Sequence, residues 1–473
     1  MLLIADDVGF NGVGYQSDYT NVSNGFLTPR LDALAAESLK LSSFYVLPLC
    51  APTRAALLTG RYPTRYGLSA FNADWGKPWG LPANETLLPE VLKAANYTTG
   101  LLGKWHLGSH RDAALPQSRG FDVYSYAPSK TFPDGCHRCV TGYDFHDGAA
   151  PAFDMNGTYS SDAVRDAAVA FVRTAQRPFY AQCAFQNVHE PLEVPARFAD
   201  RYAATLPARE RVYAGMISAL DEAAGIVLDA LPALDETVVV FFSDNGAMAN
   251  SAAPSGARAN YFKGGKTLTT EGGTRAPCFV RYPPLLSPGW SASLVHVVDL
   301  FPTLVALAGA THALDLDGVD AAPQLLDPAT PGRRREVLYN INPRSDDADQ
   351  LKAPKAALRY DDFKLSFEFW SNRSGAALYD LAADPMETSD VANRHPGVVR
   401  DLAARLEAHA ARLPPPFEPW PPFQGADYAC CDCEETFARG APAVWAPWIP
   451  DDYAAAPCAP PYAACVVPPC YGH

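Results

Sequence analysis

Four short apolar runs, "LLIADD" (2–7), "TTGLLGKWH" (98–106), "PFYAQCAFQNVH" (178–189) and "TVVVFFSDN" (237–245), each end in polar side chains. Unbroken apolar runs of this length read as strands buried on both faces, and such strands occur in sheets covered by helices. Segments of helical period lie between them. Val212, Met216, Leu220, Ala223 and Val227, for example, fall on one face just before the last run. The expected fold class is therefore α/β. Ligands of open α/β sheets bind beyond the carboxyl ends of the strands, which is where these polar residues fall, so one connected pocket is expected.

From about residue 336 the style changes. "AALRYDDFKLSFEFW" and "GAALYDLAADPMETSD" read as antiparallel strands with a turn, and an amphipathic helix follows over roughly 397–412. The expected organisation is a large domain over 1–335, a smaller C-terminal α+β domain over 336–412, and an irregular Pro/Cys-rich extension over 413–473 that begins at "LPPPFEPWPPF". A length of 473 residues suits one large and one smaller domain. With 48% hydrophobic and 19% charged residues the composition is that of a globular protein. No apolar run approaches the ~18 residues of a membrane span. The formal charge of -14 argues against a general nucleic-acid partner and requires any anionic substrate to be met by a local cluster of cations.

Cys430, Cys431, Cys433, Cys458, Cys465 and Cys470 crowd the end of the chain, which reads as a cross-linked tail. Five Asn-x-Ser/Thr sequons, at Asn21, Asn84, Asn96, Asn156 and Asn372, point with them to an oxidising secretory compartment, lysosomal or extracellular. No signal peptide precedes Met1, so the amino terminus is read as truncated or mis-started. Cys136-x-x-Cys139 is compatible with a small loop disulfide and a zinc or redox pair is less favoured, because no second Cys-x-x-Cys accompanies it, but the sequence does not give the connectivity of the cysteines. Cys183 and Cys278 lie in apolar surroundings and are expected in the core.

Asp6 and Asp7 are adjacent, so both can meet one ligand only where the strand ends and the chain turns. Asp244 and Asn245, followed by Gly246, repeat the design at another strand end. Three carboxylates and an amide oxygen suit a hard cation, calcium or magnesium, although each motif taken alone also reads as a polar turn. Lys104, His106, His189 and Lys266 follow strands or lie in the glycine-rich "YFKGGKTLTTEGGTRAP". Together with Arg54 they could cradle a tetrahedral dianion and move protons around it. If the chain stays extended, Lys104 and His106 share a face. Trp75, Trp79 and Trp105 are candidates for stacking on a sugar, with Trp105 equally a core residue.

"CAPTRAALLTGR" (50–61), with "ADD", "GKWHLG", "SDNG" and the lysine before "EGG", resembles the motif set of the sulfatase family, in the family's order. Further stretches, among them "ANYTTGLLGKWHLG" and "VVDLFPTLVALAG", are similar to the branch that includes arylsulfatase B, the N-acetylgalactosamine-4-sulfatase. The likeness is close over roughly 1–310, loose over 311–412 and slight in the tail. Thr53 stands where serine is usual in the family, and it keeps the hydroxyl.

The resemblance implies an alkaline-phosphatase-like mixed sheet between helices, with a smaller C-terminal sheet domain. It implies that Cys50 is oxidised to formylglycine by a formylglycine-generating enzyme that reads Cys50, Pro52 and Arg54, and that Arg54 then holds the aldehyde hydrate. It further implies calcium, with magnesium less favoured, on Asp6, Asp7, Asp244, Asn245 and residue 50. Lys104 and Lys266 would bind sulfate, His189 with Lys266 would protonate the leaving alcohol, and His106 would take the proton of the second hydroxyl. The expected substrates are aryl sulfates and terminal sulfated sugars such as N-acetylgalactosamine 4-sulfate. The rival readings are a phosphoesterase of the same superfamily and a sulfated-glycan-binding protein with unmodified Cys50. The cysteine in the nucleophile position argues against the first, and retention of the whole polar set against the second.

Overall fold

The computed structural model describes residues 1–69, 80–109, 111–127, 136–137, 140–141, 145–148, 150–155, 157–248, 259–327, 330–341, 356–369 and 374–414. The six C-terminal cysteines, Cys139, Trp75, Trp79, Asn156 and Asn372 lie outside the described residues.

Eight strands of the main sheet are β1 (Leu2–Ala5), β2 (Leu39–Leu41), β3 (Thr98–Lys104), β4 (Val123–Ala127), β5 (Phe179–Ala184), β6 (Val239–Ser243), β7 (Cys278–Arg281) and β8 (Gly289–Ser291). They form a mixed ten-stranded sheet in the order β8-β2-β7-β6-β1-β5-β3-β4, completed by the two-residue strands His146–Asp147 and Ala150–Pro151. The four apolar runs are the neighbours β6, β1, β5 and β3, all parallel, with Leu2 opposite both Gln182 and Val240. Their carboxyl ends therefore open on one edge of the sheet.

Helices cover both faces: α1 (Pro29–Ala36), α2 (Cys50–Thr59), α3 (Ser160–Thr174), α4 (Ala208–Asp229) and α5 (Leu300–Leu307). The period of two along β1 divides the core between them. Leu2 and Ile4 pack with Leu57 and Leu58 of α2 and Phe301 of α5, whereas Leu3 and Ala5 pack with Leu31 of α1, Phe171 of α3 and Leu220 of α4. Each strand is thus apolar on both sides, which is why these runs do not alternate. In α4, Met216, Leu220, Ala223 and Val227 are buried and Val212 packs against the same cluster, and burial extends beyond that face to Ile217, Ala219 and Ala224.

The C-terminal elements are the antiparallel meander β9 (Glu336–Ile341), β10 (Ala356–Tyr360), β11 (Phe363–Phe369) and β12 (Ser374–Asp380), followed by α6 (Pro396–Ala410). Leu338, Leu358, Leu365, Leu402 and Leu406 belong to the same buried cluster as Leu57 and Phe301. The second sheet is therefore sealed against the α2 side of the first. Cys183 and Cys278 are free and buried, as expected.

His296 lies in this shared core without exposure. Its Nδ1 accepts the Val298 N–H at 3.3 Å, its ring packs on Tyr62, and its Nε2 has no partner. Burial, and then the Arg334 charge, hold its pKa well below the ordinary value. The unfolded chain binds this proton below about pH 6.5 and the folded chain does not, so stability falls as pH falls. Between pH 7.5 and 5.0 the loss from this group is about 2 kcal/mol. A His296→Gln variant should show a correspondingly flatter dependence in urea unfolding at the two pH values, and equal slopes for both proteins would contradict this assignment.

Candidate active site

Beyond Ala5 the chain leaves β1 through Asp6 and Asp7, and Asp7 takes a left-handed φ of 62°. That turn lets two adjacent carboxylates face one space. Glycine follows because the backbone is crowded there: a Cβ on Gly9 would lie 2.4 Å from the Ala259 carbonyl oxygen. After β6, Asp244 and Asn245 are likewise followed by Gly246, where a Cβ would come within 1.8 Å of the Gly272 oxygen. Lys104 is the last residue of β3.

Cys50 is the first residue of α2, entered from an extended Leu49. Pro52 falls in the first turn, where its missing N–H costs nothing. Gly60, at a φ of 65°, ends the helix. Thr53 Oγ1 accepts the Leu47 N–H at 3.0 Å and donates to the Leu47 carbonyl at 3.2 Å, which ties down the turn that presents Cys50. Serine has the same hydroxyl, so the substitution is conservative in this contact. Every residue of α2 is buried, and Cys50 at its amino terminus, where a helix carries partial positive charge, faces the carboxylates.

Cys50 Sγ lies 3.4 Å from Asp6 Oδ1 and 3.8 Å from Asp7 Oδ1. Lys104 Nζ donates to Asp6 Oδ2 at 2.6 Å. Lys266 Nζ bridges both oxygens of Asp7 at 2.6 and 2.8 Å. Arg54 grips Asp244 Oδ2 through Nε and Nη2 at 3.0 and 2.7 Å and donates Nη1 to the Lys104 carbonyl at 3.0 Å. Asp244 Oδ1 accepts the Asp7 N–H at 3.3 Å. Asn245 donates Nδ2 to Asp7 Oδ1 at 2.8 Å, and its Oδ1 is buried without a partner. His189 is the most accessible of these groups, with 13% of its side chain exposed, and its Nε2 stands 3.9 Å from Asp7 Oδ2. A carbonyl only accepts, so the 2.6 Å contact of His189 Nδ1 with the Glu190 carbonyl oxygen places the hydrogen on Nδ1.

Three buried carboxylates thus face three buried cations. Burial raises Asp6, but Lys104, then His189 and Arg54, pull its pKa well below the usual carboxylate range. Burial raises that of Asp7 against the pull of Lys266. Asp244 is pushed up to about 6 by burial and by the charge of Asp6. Burial and then Asp244 push the Cys50 thiol up to about 12, so the unmodified side chain is a neutral S–H at neutral pH. Lys104 and Lys266 are both raised by their carboxylates against the cost of burial.

A cation fits this set. Ligand atoms of Asp6, Asp7, Cys50 and His189 all lie within 4.8 Å of one another, and Asn245, whose Oδ1 is buried without a partner, adjoins them through its bond to Asp7. Asp244 borders the group through Asp7 and is held by Arg54. The oxygen-rich composition favours calcium or magnesium over soft metals.

Two readings that the sequence left open are decided here. The chain does not stay extended past Lys104: His106 has a φ of 60° and is fully buried, so the two side chains do not share a strand face. Trp105 has no exposure, and its Nε1 donates to the carbonyls of Gly108 and Ala114 at 3.1 Å each, so it belongs to the core and stacks on no sugar. The sequence reading also missed Tyr45, Glu271, Tyr339 and Lys364, whose side chains meet behind the site. The only local signal was the glutamate of "EGG" inside an otherwise small and polar loop.

A large mixed sheet between helices, with a smaller antiparallel sheet behind it and the carboxylates, cations and Cys50 gathered at one strand edge, has the alkaline-phosphatase-like architecture. The sequence matches the Sulfatase family over residues 1–310 and the family N-sulphoglucosamine sulphohydrolase, C-terminal, over 260–412. It is 31% identical to mouse arylsulfatase J, covering 88% of this chain and 77% of that protein. It is 30% identical to human arylsulfatase A, covering 85% and 81%, and 34% identical to human N-acetylgalactosamine-6-sulfatase, covering 69% and 65%. Among solved structures, Ps i-CgsB superimposes with a TM-score of 0.75 at 28% identity, covering 88% of this chain and 93% of that one. The chain belongs to the sulfatase family and is a sulfuric ester hydrolase. Among the described residues no helix is long and apolar enough to cross a membrane.

Proposed function

We propose that the protein hydrolyses sulfate monoesters of small phenols and of terminal sugars, N-acetylgalactosamine 4-sulfate among them, with residue 50 as nucleophile after its conversion to formylglycine. The observation that carries this reading is the placement of Cys50 Sγ at the amino end of a buried helix, 3.4 Å from Asp6, with Lys104 and Lys266 bound to the same carboxylate pair. As a hydrated aldehyde, residue 50 supplies one hydroxyl to attack sulfur and a second to expel sulfate. Asp6, Asp7, Asp244, Asn245 and residue 50 would hold calcium, or with less preference magnesium, which would supply Lewis-acid polarisation of a sulfate oxygen.

The protein's own groups divide the remaining work. Lys104 and Lys266 neutralise sulfate oxygens, a strong effect in a site with almost no solvent. Arg54 braces Asp244 and the Lys104 carbonyl, and would hold the hydrate of residue 50. His189, with its hydrogen fixed on Nδ1, offers Nε2 to carry the proton for the leaving alcohol, assisted by Lys266. His106 takes the proton of the second hydroxyl. The modifying partner is a formylglycine-generating enzyme that reads Cys50 to Arg54. Exposed sequons at Asn21, Asn84 and Asn96 support maturation in the secretory pathway.

A terminal sugar is favoured because the cations lie deep while the net charge of -14 repels a long polyanion except at its tip. The related Ps i-CgsB was solved with k-i-k-neocarrahexaose, so a structure of this shape admits a saccharide chain. The test compares a chromogenic aryl sulfate, short glycans sulfated at the terminal residue, intact sulfated polysaccharide and the phosphate analogue of the aryl ester. The first two should turn over well, the polymer only from its ends and the phosphate poorly. Faster release from internal positions would overturn the terminal preference, and equal use of the phosphate ester would overturn the sulfatase reading.

A further inference from the structure

The loop that carries Lys266 is held by residues of the second sheet. Glu271, in the short helix Glu271–Thr274, is fully buried. Its carboxylate accepts from Tyr45 Oη at 2.6 Å, from Tyr339 Oη of β9 at 2.7 Å and from Lys364 Nζ of β11 at 3.2 Å. Lys364 has no exposure and also pairs with Glu387 Oε1 at 2.8 Å. Glu387, past β12, takes the Glu271 N–H on its other oxygen at 2.8 Å, and its carbonyl accepts Lys263 Nζ at 3.0 Å. Three residues of the 263–271 loop segment's surroundings, Tyr339, Lys364 and Glu387, thus come from beyond residue 336.

The same loop reaches three parts of the active site. It carries Lys266 itself, whose N–H bonds the Ala247 carbonyl at 2.9 Å just past Asp244 and Asn245. Thr267 donates its N–H to the Pro48 carbonyl at 2.8 Å, two residues before Cys50. Gly246 donates its N–H to Gly273 at 3.0 Å, with no room for a side chain between them. A shift of Glu271 would therefore move Lys266 relative to both Asp7 and residue 50.

We propose that Lys364, with Glu387 and Tyr339, is a positioning residue of the active site: acting through Glu271, it locks the 261–275 loop so that Lys266 stands where a sulfate oxygen binds. The inference deepens the proposed function, since it assigns the second sheet a part in sulfate recognition. A buried amine paired with two buried carboxylates is a costly means of joining two layers that apolar residues could join as well. It has the directionality that an apolar contact lacks, because each oxygen of Glu271 and Glu387 is committed to a named donor.

The test uses the full chain with Lys364→Met, read in three ways: binding of inorganic sulfate by calorimetry, amide exchange of the 261–275 peptide, and turnover of an aryl sulfate. Sulfate affinity should fall about tenfold and the loop should exchange faster, while the 239–243 strand stays protected. Turnover should fall by about 10²-fold, the scale of a displacement near 1 Å at a reacting centre. A partly unfolded sample would lower turnover but leave the sulfate dissociation constant of the folded fraction unchanged. If Lys364→Met does not fold, Tyr339→Phe removes one donor to Glu271 without changing volume and should weaken sulfate binding several-fold. Wild-type sulfate affinity and loop exchange in a folded variant would overturn the proposal. Failure of the wild-type protein to cleave any sulfate ester would overturn the proposed function instead, and the binding and exchange readouts would still judge the clamp.

Discussion

Cys50→Ala is expected to reduce turnover of an aryl sulfate by roughly 10⁴-fold or more, the scale seen when a nucleophile is removed from an otherwise intact site. The side chain is small and fully buried, and its sulfur faces carboxylates rather than the apolar core, so the substitution should leave near-ultraviolet circular dichroism unchanged. Cys50→Ser separates the nucleophile from its modification. A serine hydroxyl has the reach but forms an adduct with no second hydroxyl to expel sulfate, so at most one equivalent of alcohol should be released. Mass spectrometry of the residue-50 peptide from protein made in its native host should show an aldehyde in place of the thiol. Fully active protein carrying only unmodified cysteine would refute the mechanism.

Exhaustive chelation should likewise abolish turnover, and added calcium should restore it more effectively than magnesium. The reasoning starts from Asn245, whose Oδ1 is buried and unpartnered, a condition that costs about 1–3 kcal/mol unless a donor or cation meets it. Asp6 and Asp7 occupy the same space, and their charges are balanced by Lys104 and Lys266. A divalent ion binding only the folded chain would raise its stability by about 2.7 kcal/mol at a free concentration one hundred times its dissociation constant. Asn245→Ala should weaken that shift without removing a charge, and Asp7→Ala should remove it. Undiminished activity and an unchanged unfolding midpoint after chelation would rule out the metal.

Much of the fold was legible because its determinants are local. The apolar runs at 2–5, 98–104, 179–184 and 239–243 could only be doubly covered strands, and polar residues at their ends had to emerge on one edge once the strands proved parallel. The turn at Asp7 was implied by two adjacent acids that needed one ligand, and its φ of 62° supplies it. The antiparallel strands with a turn read in "AALRYDDFKLSFEFW" and "GAALYDLAADPMETSD" are β10, β11 and β12, and the first turn falls at Asp361, which takes a left-handed φ.

What the sequence by itself determined was the inventory of the site: which strand ends carry acids, which carry cations, and that a cysteine with Pro52 and Arg54 opens a helix. Tertiary structure alone decided the pairing. Arg54 reaches Asp244 across 190 residues, Lys266 reaches Asp7 across 259, and Lys364 meets Glu271 across 93. No local propensity encodes such partners, because a charge responds to distance in space and to the water removed around it, and both are set only when the layers close. The open readings of Trp105 and of the Lys104–His106 face were decided in the same way. The sequence left Trp105 between a sugar platform and the core and tied the shared face to an extended chain; the fold buried the first among carbonyls that satisfy its N–H and turned the chain at His106.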